Sequence, residues 1–418
     1  MKTVKKTPLL FLCHRIPYPP NKGDKIRSFH LLHHLSQHFD IHLATFVDDP
    51  LDWPWVPEVK KFCVDSLFLD LKPGAARVRS LSGLATGKVL SLPYYNNPRM
   101  HAWIREQVAQ HEISHLLVFS AAMAQYALDP GMGFRYKVID FVDVDSDKWQ
   151  QYATQKKWPM SWLYRREGRL LLEFEREVAR LFDAGLFVSS AEAAMFRELA
   201  PESAHKLGFY NNGVNRAYFA PDPALPAPYR AGEKAVVFTG AMDYWPNVDA
   251  VTWFARDIFP RMRQSDASLH FYIVGSSPTG AVTQLANLPG VTVTGRVEDV
   301  RPYLQYALAA VAPMRIARGV QNKVLEAMAM EKPVLVSAKG LEGIAAEHGT
   351  HVLVADTAEQ YCECLQQIQS GLHPRLGQQA RELITQHFDW DNNLPEVVYL
   401  LGGSGAPVMG ESASAGNS

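Results

Sequence analysis

The chain has 418 residues, enough for two or three domains at ~150 residues each, and its 47% hydrophobic and 20% charged fractions are those of a soluble globular protein. Its 42 basic and 43 acidic side chains leave a net charge of −1, which argues against a nucleic-acid partner, and no run approaches the ~20 apolar residues of a membrane-spanning helix. Four cysteines, Cys13, Cys63, Cys362 and Cys364, make neither a disulfide framework nor a zinc site and suit a reducing, cytoplasmic setting.

The basic start and the apolar run 9–12 resemble a secretion signal, but the run is too short and His14-Arg15 ends it, so 9–13 reads as a first buried strand. A helix-period segment over 27–37 follows, then strands over 41–46, 115–119 and 136–141, a helix over 163–181 and a strand over 185–188. The second half repeats the scheme: strands over 235–239, 269–274, 291–294, 309–313, 334–337 and 351–354, with helical segments over 249–263 and 324–330. Strands that are apolar throughout, alternating with helices, indicate parallel sheets covered on both faces. The expectation is an α/β protein of two doubly wound domains, 1–212 and 213–385. The turn cluster 211–215 and the proline-rich 221–228 mark the junction. A helix within 386–401 is expected to return to the first domain, and the Gly/Ser/Ala-rich 402–418 to be disordered.

Charge is unevenly shared. Residues 71–105 carry Lys72, Arg77, Arg79, Lys88, Arg99 and Arg105, and the only acids nearby lie outside that stretch. Residues 148–169 interleave Lys148, Lys156, Lys157, Arg165, Arg166 and Arg169 with Trp149, Trp158 and Trp162. Each stretch alone reads as a solvated face; together they suit peripheral contact with an anionic membrane.

The most informative segment runs from Pro313 to Ala329, leaving a strand's carboxyl end through a glycine loop into a helix near Gln321. That is where an open α/β sheet binds ligands. A helix amino terminus offers free N–H groups, and Gly319 lets a phosphate approach the backbone. Arg315, Arg318 and Lys323 add charge, and Glu326, one turn after Lys323, can accept hydrogen bonds from sugar hydroxyls or merely pair with Lys323. In the first half, Gly23 permits a tight turn, Asp24 suits a helix start, and Arg15 and Arg27 are nearby cations, each at least as readily a surface charge as part of the site. Asp143, Asp145 and Asp147 copy a calcium loop's spacing, but Lys148 stands where that loop needs glycine. Asp143 is a candidate for orienting an acceptor hydroxyl, or a helix cap.

Lys323 to Val336 resembles the donor-site signature of glycosyltransferase family 4, the group-1 sugar transferases. Asn212-Gly-Val-Asn215, Gly240 to Asn247, Gly295-Arg296-Val297, Gly340-Leu-Glu342-Gly343 and Phe388-Asp-Trp390 resemble further loops of that family. Arg15 to Arg27 resembles the subgroup linked to bacterial exopolysaccharide and PEP-CTERM/exosortase gene clusters. The resemblance implies a GT-B fold, two Rossmann-like domains with an inter-domain cleft, and retaining sugar transfer without a metal or other cofactor. It implies a nucleotide-diphosphate sugar as co-substrate and a lipid-linked or oligosaccharide acceptor. Donor contacts would come from Gly23, Gly240, Arg296, Val297, Arg315, Gly319, Lys323, Glu326, Glu342 and Gly343. Lys323, Glu326, Arg318 and Asp143 would be catalytic, with Asp24 and Asp143 on the acceptor side. The chain departs from the family at Arg318, where a glutamate usually precedes Glu326 by eight residues. The competing readings are a GT-B epimerase or hydrolase and a non-catalytic nucleotide-sugar-binding subunit.

Overall fold

The computed structural model describes residues 6–403 apart from Asn21, Gln155 and Arg318, with only the backbone of Pro130. The expected disordered tail lies, from 404 on, outside the described residues. Two compact units are present: Asn212–Asn392 is one, and the chain up to Asn211 together with the chain from Asn393 is the other.

The first unit holds seven strands: β1 (Thr7–Cys13), β2 (Phe39–Val47), β3 (Asp65–Asp70), β4 (His115–Phe119), β5 (Tyr136–Val142), β6 (Ala184–Phe187) and β7 (Leu207–Phe209). All pairings are parallel, in the order β3-β2-β1-β4-β5-β6-β7. The run 9–12 is thus the heart of an interior strand, Leu10 lying in register between His42 and Leu116. Leu9 to Cys13 and Leu116 to Phe119 are wholly buried because helices cover both sheet faces. The helix Pro395–Leu400 belongs to this unit and buries Val397 and Val398.

The second unit holds β8 (Lys234–Thr239), β9 (Leu269–Val274), β10 (Val291–Gly295), β11 (Ala309–Ala312), β12 (Val334–Val336) and β13 (Leu353–Val354). They too are parallel, in the order β10-β9-β8-β11-β12-β13. In each sheet the order reverses once, between β1 and β4 and between β8 and β11. Right-handed crossovers put the helices before the reversal on one face and those after it on the other, and the crevice at the carboxyl ends of the two strands at the reversal is where a ligand fits.

Sequence patterning missed two strands. β3 reads DSLFLD, a half-exposed edge strand bounded by acids, and β7 has three residues with Gly208 in the middle. The single helix expected over 249–263 is instead two α-helices, Trp245–Trp253 and Phe259–Ser265, joined by a π-turn, Phe254–Ile258. Pro260 at the start of the third segment has no N–H to continue the α ladder, so the turn before it widens.

Candidate functional site

The second unit's site is built at the β8/β11 reversal. The helix Asn322–Ala329 forms because Val324, Leu325, Ala327, Met328 and Ala329 supply an apolar face, all buried against the sheet. That packing fixes its amino terminus beside the loop leaving β8. Lys323 lies in the first turn with its ammonium 5.5 Å from the centre of the Phe238 ring and donates to Gln321 Oε1 at 3.1 Å. A Cβ placed on Gly240 would come within 3.5 Å of Lys323 Cε, so the lysine stem lies against the β8 loop. Glu326 is half-buried one turn on.

Burial governs both charges. Desolvation pulls the Lys323 ammonium down to about 8, against the opposing pull of Glu326. It pushes the Glu326 carboxyl up to about 7, against Lys323. An anion arriving at this lysine would stabilise its charged form.

The surrounding loops are glycine-dependent. Gly240 has φ 152° and Gly319 φ 64°, both in the region side chains disfavour. Gly275, just past β9, approaches so closely that a Cβ there would lie 1.6 Å from Gly240 O. Backbone bonds tie successive loops together: Gly240 N–H to Val274 O at 3.0 Å, Met242 N–H to Ser276 O at 2.8 Å and Gly275 N–H to Gly295 O at 3.2 Å. Asn247 is buried and donates Nδ2–H to Ala241 O at 2.8 Å. Its Oδ1 is buried without a partner among the described residues. Gly343 faces the same rim, where a Cβ would meet Val320 Cγ2 at 3.0 Å. Sequence reasoning quoted Asn247 but gave it no role and passed over Gly275. The signal for Gly275 was its place directly after an apolar strand.

The other expected donor-side residues are distributed as follows. Arg296 is exposed and Val297 half-buried after β10, Glu342 is half-buried after β12 and faces Lys339 at 3.4 Å. Arg315 reaches the β11 rim but is already engaged, donating Nε–H to Asp249 Oδ2 at 3.0 Å with its guanidinium 5.3 Å above Trp253. Arg318 lies outside the described residues.

Gly23, Asp24 and Asp143 belong to the first unit. The helix Gly23–Leu35 starts at Gly23 with Lys22 as its cap residue, so Asp24 is not the cap. Its carboxylate bonds Arg15 at 2.7 Å and, with His14 at 3.5 Å, is held well below the usual carboxylate range despite burial. Arg15 is half-buried and also meets Asp48 at 2.8 Å. Arg27, from the sequence at least as readily a surface charge as part of the site, is fully buried: the helix turns it into the core against Asp140, at 2.8 Å. Asp143 and Asp145 share Lys148, at 2.6 and 3.0 Å. That lysine occupies the calcium-like carboxylates from within.

Residues 233–370 match the family model described as glycosyl transferases group 1. No curated protein sequence matches the chain. Among solved structures it is similar to sucrose-phosphate synthase from Thermosynechococcus elongatus, with 18% identity, 94% of this chain and 98% of that one covered and a TM-score of 0.71. It is similar to the HepE protein of Anabaena in complex with UDP, at 14% identity, 95% and 99% coverage and a TM-score of 0.66. WaaG, a glycosyltransferase involved in lipopolysaccharide biosynthesis, matches at 16% identity, 94% and 100% coverage and a TM-score of 0.65. At these identities the likeness is one of fold: two Rossmann-like parallel-sheet units, the GT-B architecture.

Proposed function

We propose that the chain is a glycosyltransferase that moves a sugar from a nucleotide-diphosphate sugar to an acceptor, with the donor held by the second unit. The observation that carries this reading is Lys323 and Glu326 on the first turns of the helix after β11, beside the glycine loop after β8 at the sheet's reversal. The matched family segment contains all the expected donor-side residues except Gly23. HepE structures hold UDP and UDP-glucose, which makes a uridine donor the first candidate.

In this reading the diphosphate lies across the helix amino terminus, with Lys323 and the N–H groups near Gly319 facing it, and Glu326 accepts from the ribose hydroxyls. Negative charge grows on the diphosphate as the glycosidic bond breaks. Donors fixed there stabilise the transition state more than the ground state. The transfer is retaining and needs no metal, because the lysine and the helix end supply the positive potential. The first unit takes the acceptor, a lipid-linked or growing polysaccharide of bacterial exopolysaccharide synthesis, with Asp24 and Asp143 on that side and the protein in the cytoplasm.

Calorimetry against UDP-, GDP-, ADP- and dTDP-sugars, with and without EDTA, tests the donor site. One nucleotide class should bind in EDTA, and Glu326→Ala should weaken it at least about 30-fold, the equivalent of losing one charge-assisted hydrogen bond. Binding of none of them overturns the reading. Binding without turnover on any lipid-linked acceptor supports the non-catalytic subunit instead.

A further inference from the structure

We infer that the first unit carries a docking face for the surface of an anionic bilayer, formed by the helices Pro73–Ser80 and Ser82–Thr86 together with the start of the helix Met160–Leu181. The two parts are one surface. Arg166 donates to Gly83 O at 2.9 Å and Lys88 O at 3.2 Å, and Leu90 N–H donates to Glu167 at 2.7 Å. Trp162 lies one turn before Arg166 on the same helix.

This face is apolar where a soluble surface should not be. Trp158 is 80% exposed, Val78 71%, Leu81 56% and Trp162 55%. Single exposed apolar residues are ordinary, but a cluster of this size marks an interaction site. Around it stand Arg77, Lys88, Lys156, Lys157 and Arg165, all exposed and none in an ion pair among the described residues. The acids nearby are spent: Glu167 is buried against Arg166, Glu173 pairs with Arg169 at 3.0 Å, and Asp70 is 3.9 Å from Lys72.

The occupant follows from the chemistry. Tryptophan rings favour the zone between headgroups and acyl chains, and a rim of unpaired cations favours anionic headgroups. A protein partner would need acids matched one by one to these cations; a fluid anionic surface needs no register. Among the described residues no helix is long and apolar enough to cross a membrane, so the attachment is to one leaflet's surface. The inference uses no donor-site residue and stands apart from the sugar-transfer reading.

Flotation of the full chain with mixed phosphatidylcholine–phosphatidylglycerol vesicles tests it, against pure phosphatidylcholine vesicles. The protein should float with the anionic vesicles only, and the bound fraction should fall as salt rises. Trp158→Ala/Trp162→Ala and, separately, Lys156→Glu/Lys157→Glu should each weaken partitioning at least about tenfold. Their thermal unfolding should stay that of the parent, since all four side chains are exposed. Equal flotation with both vesicle types, no flotation, or parental binding by both variants overturns the inference. So does a lipid-free dimer that Trp158→Ala/Trp162→Ala dissolves, which would make a second copy the occupant. Nucleotide-sugar binding, measured alongside, fails or succeeds independently.

Discussion

Arg27 and Asp140 clasp each other inside the first unit with neither side chain exposed, Nε–H meeting Oδ2 at 2.8 Å and Nη2–H meeting Oδ1 at 3.2 Å. The guanidinium also donates to Tyr210 O and Phe187 O, lies 3.5 Å over the Tyr210 ring, and the Tyr210 hydroxyl donates to Asp140. This network binds the first helix to the carboxyl ends of β5, β6 and β7. Removing one partner strands a buried charge, so Arg27→Met and Asp140→Asn should each lower stability by about 3–5 kcal/mol in urea unfolding. Arg27→Met/Asp140→Leu should not recover the parent value, because the Tyr210 carbonyl would lose its Arg27 donor and the Tyr210 hydroxyl its Asp140 acceptor.

The titrations of Lys323 and Glu326 set a pH window for the donor. If Lys323 faces the diphosphate and Glu326 the ribose, as proposed, diphosphate binding needs the ammonium, which is lost as pH rises through about 8, and ribose binding needs the carboxylate, which is lost as pH falls through about 7. Affinity for the UDP-sugar should therefore peak between these values and fall about tenfold per pH unit on either side. Glu326→Gln should remove the acid limb and Lys323→Met the alkaline one. A flat calorimetric profile from pH 6 to 9 would contradict this, on a scale where ordinary carboxylates and lysines titrate near ~4 and ~10.

Gly275→Ala should disrupt the rim without touching a ligand. Its Cβ would sit 1.6 Å from Gly240 O, and backbone cannot yield as a side chain tip does. The expected loss is at least about 2 kcal/mol in stability, with UDP-sugar binding weakened along with it. Gly280→Ala, where nothing lies within 4 Å, is the matched control.

Asp249 already engages the Arg315 guanidinium, accepting from its Nε–H at 3.0 Å, so in the proposed donor site it competes with the diphosphate for that cation. Asp249→Asn should loosen that pair and tighten donor binding several-fold, by about 1 kcal/mol or less for so exposed a guanidinium. Arg315→Ala should then cost the Asp249→Asn protein more affinity than it costs the parent.

Glu175 is buried, accepts from Ser146 N–H at 3.3 Å and is pushed up to about 8 by burial. Its folded value exceeds its unfolded one, so its contribution is full in acid and declines as pH rises from the ordinary glutamate range through about 8. Glu175→Gln keeps the acceptor and should flatten that part of the stability profile, as read from thermal midpoints across pH 5 to 9.

Most strands were legible because both faces are covered: 115–119 and 269–274 are apolar nearly throughout, and the structure starts and ends them at the same residues. β3 and β7 were not, since an edge strand or a three-residue one needs no apolar run. In the candidate site, Lys323, Glu326 and the glycine loops could be read because strand, loop and helix succeed one another locally. Arg27 with Asp140, Arg315 with Asp249 and Gly275 with Gly240 could not. Those partners are far apart in sequence, and single-residue chemistry does not say which cation is already taken.

The loops after β8, β9 and β10 are stitched to one another through main-chain N–H groups, Gly240 to Val274, Met242 to Ser276 and Gly275 to Gly295. A rim laced together by backbone moves as one part. Altering the β10 loop at Arg296 would therefore also shift the β8 loop against Lys323. If these loops hold the donor as proposed, recognition at the β10 loop is mechanically coupled to the Lys323 end of the site, and laboratory evolution toward a new donor should yield paired changes in both loops.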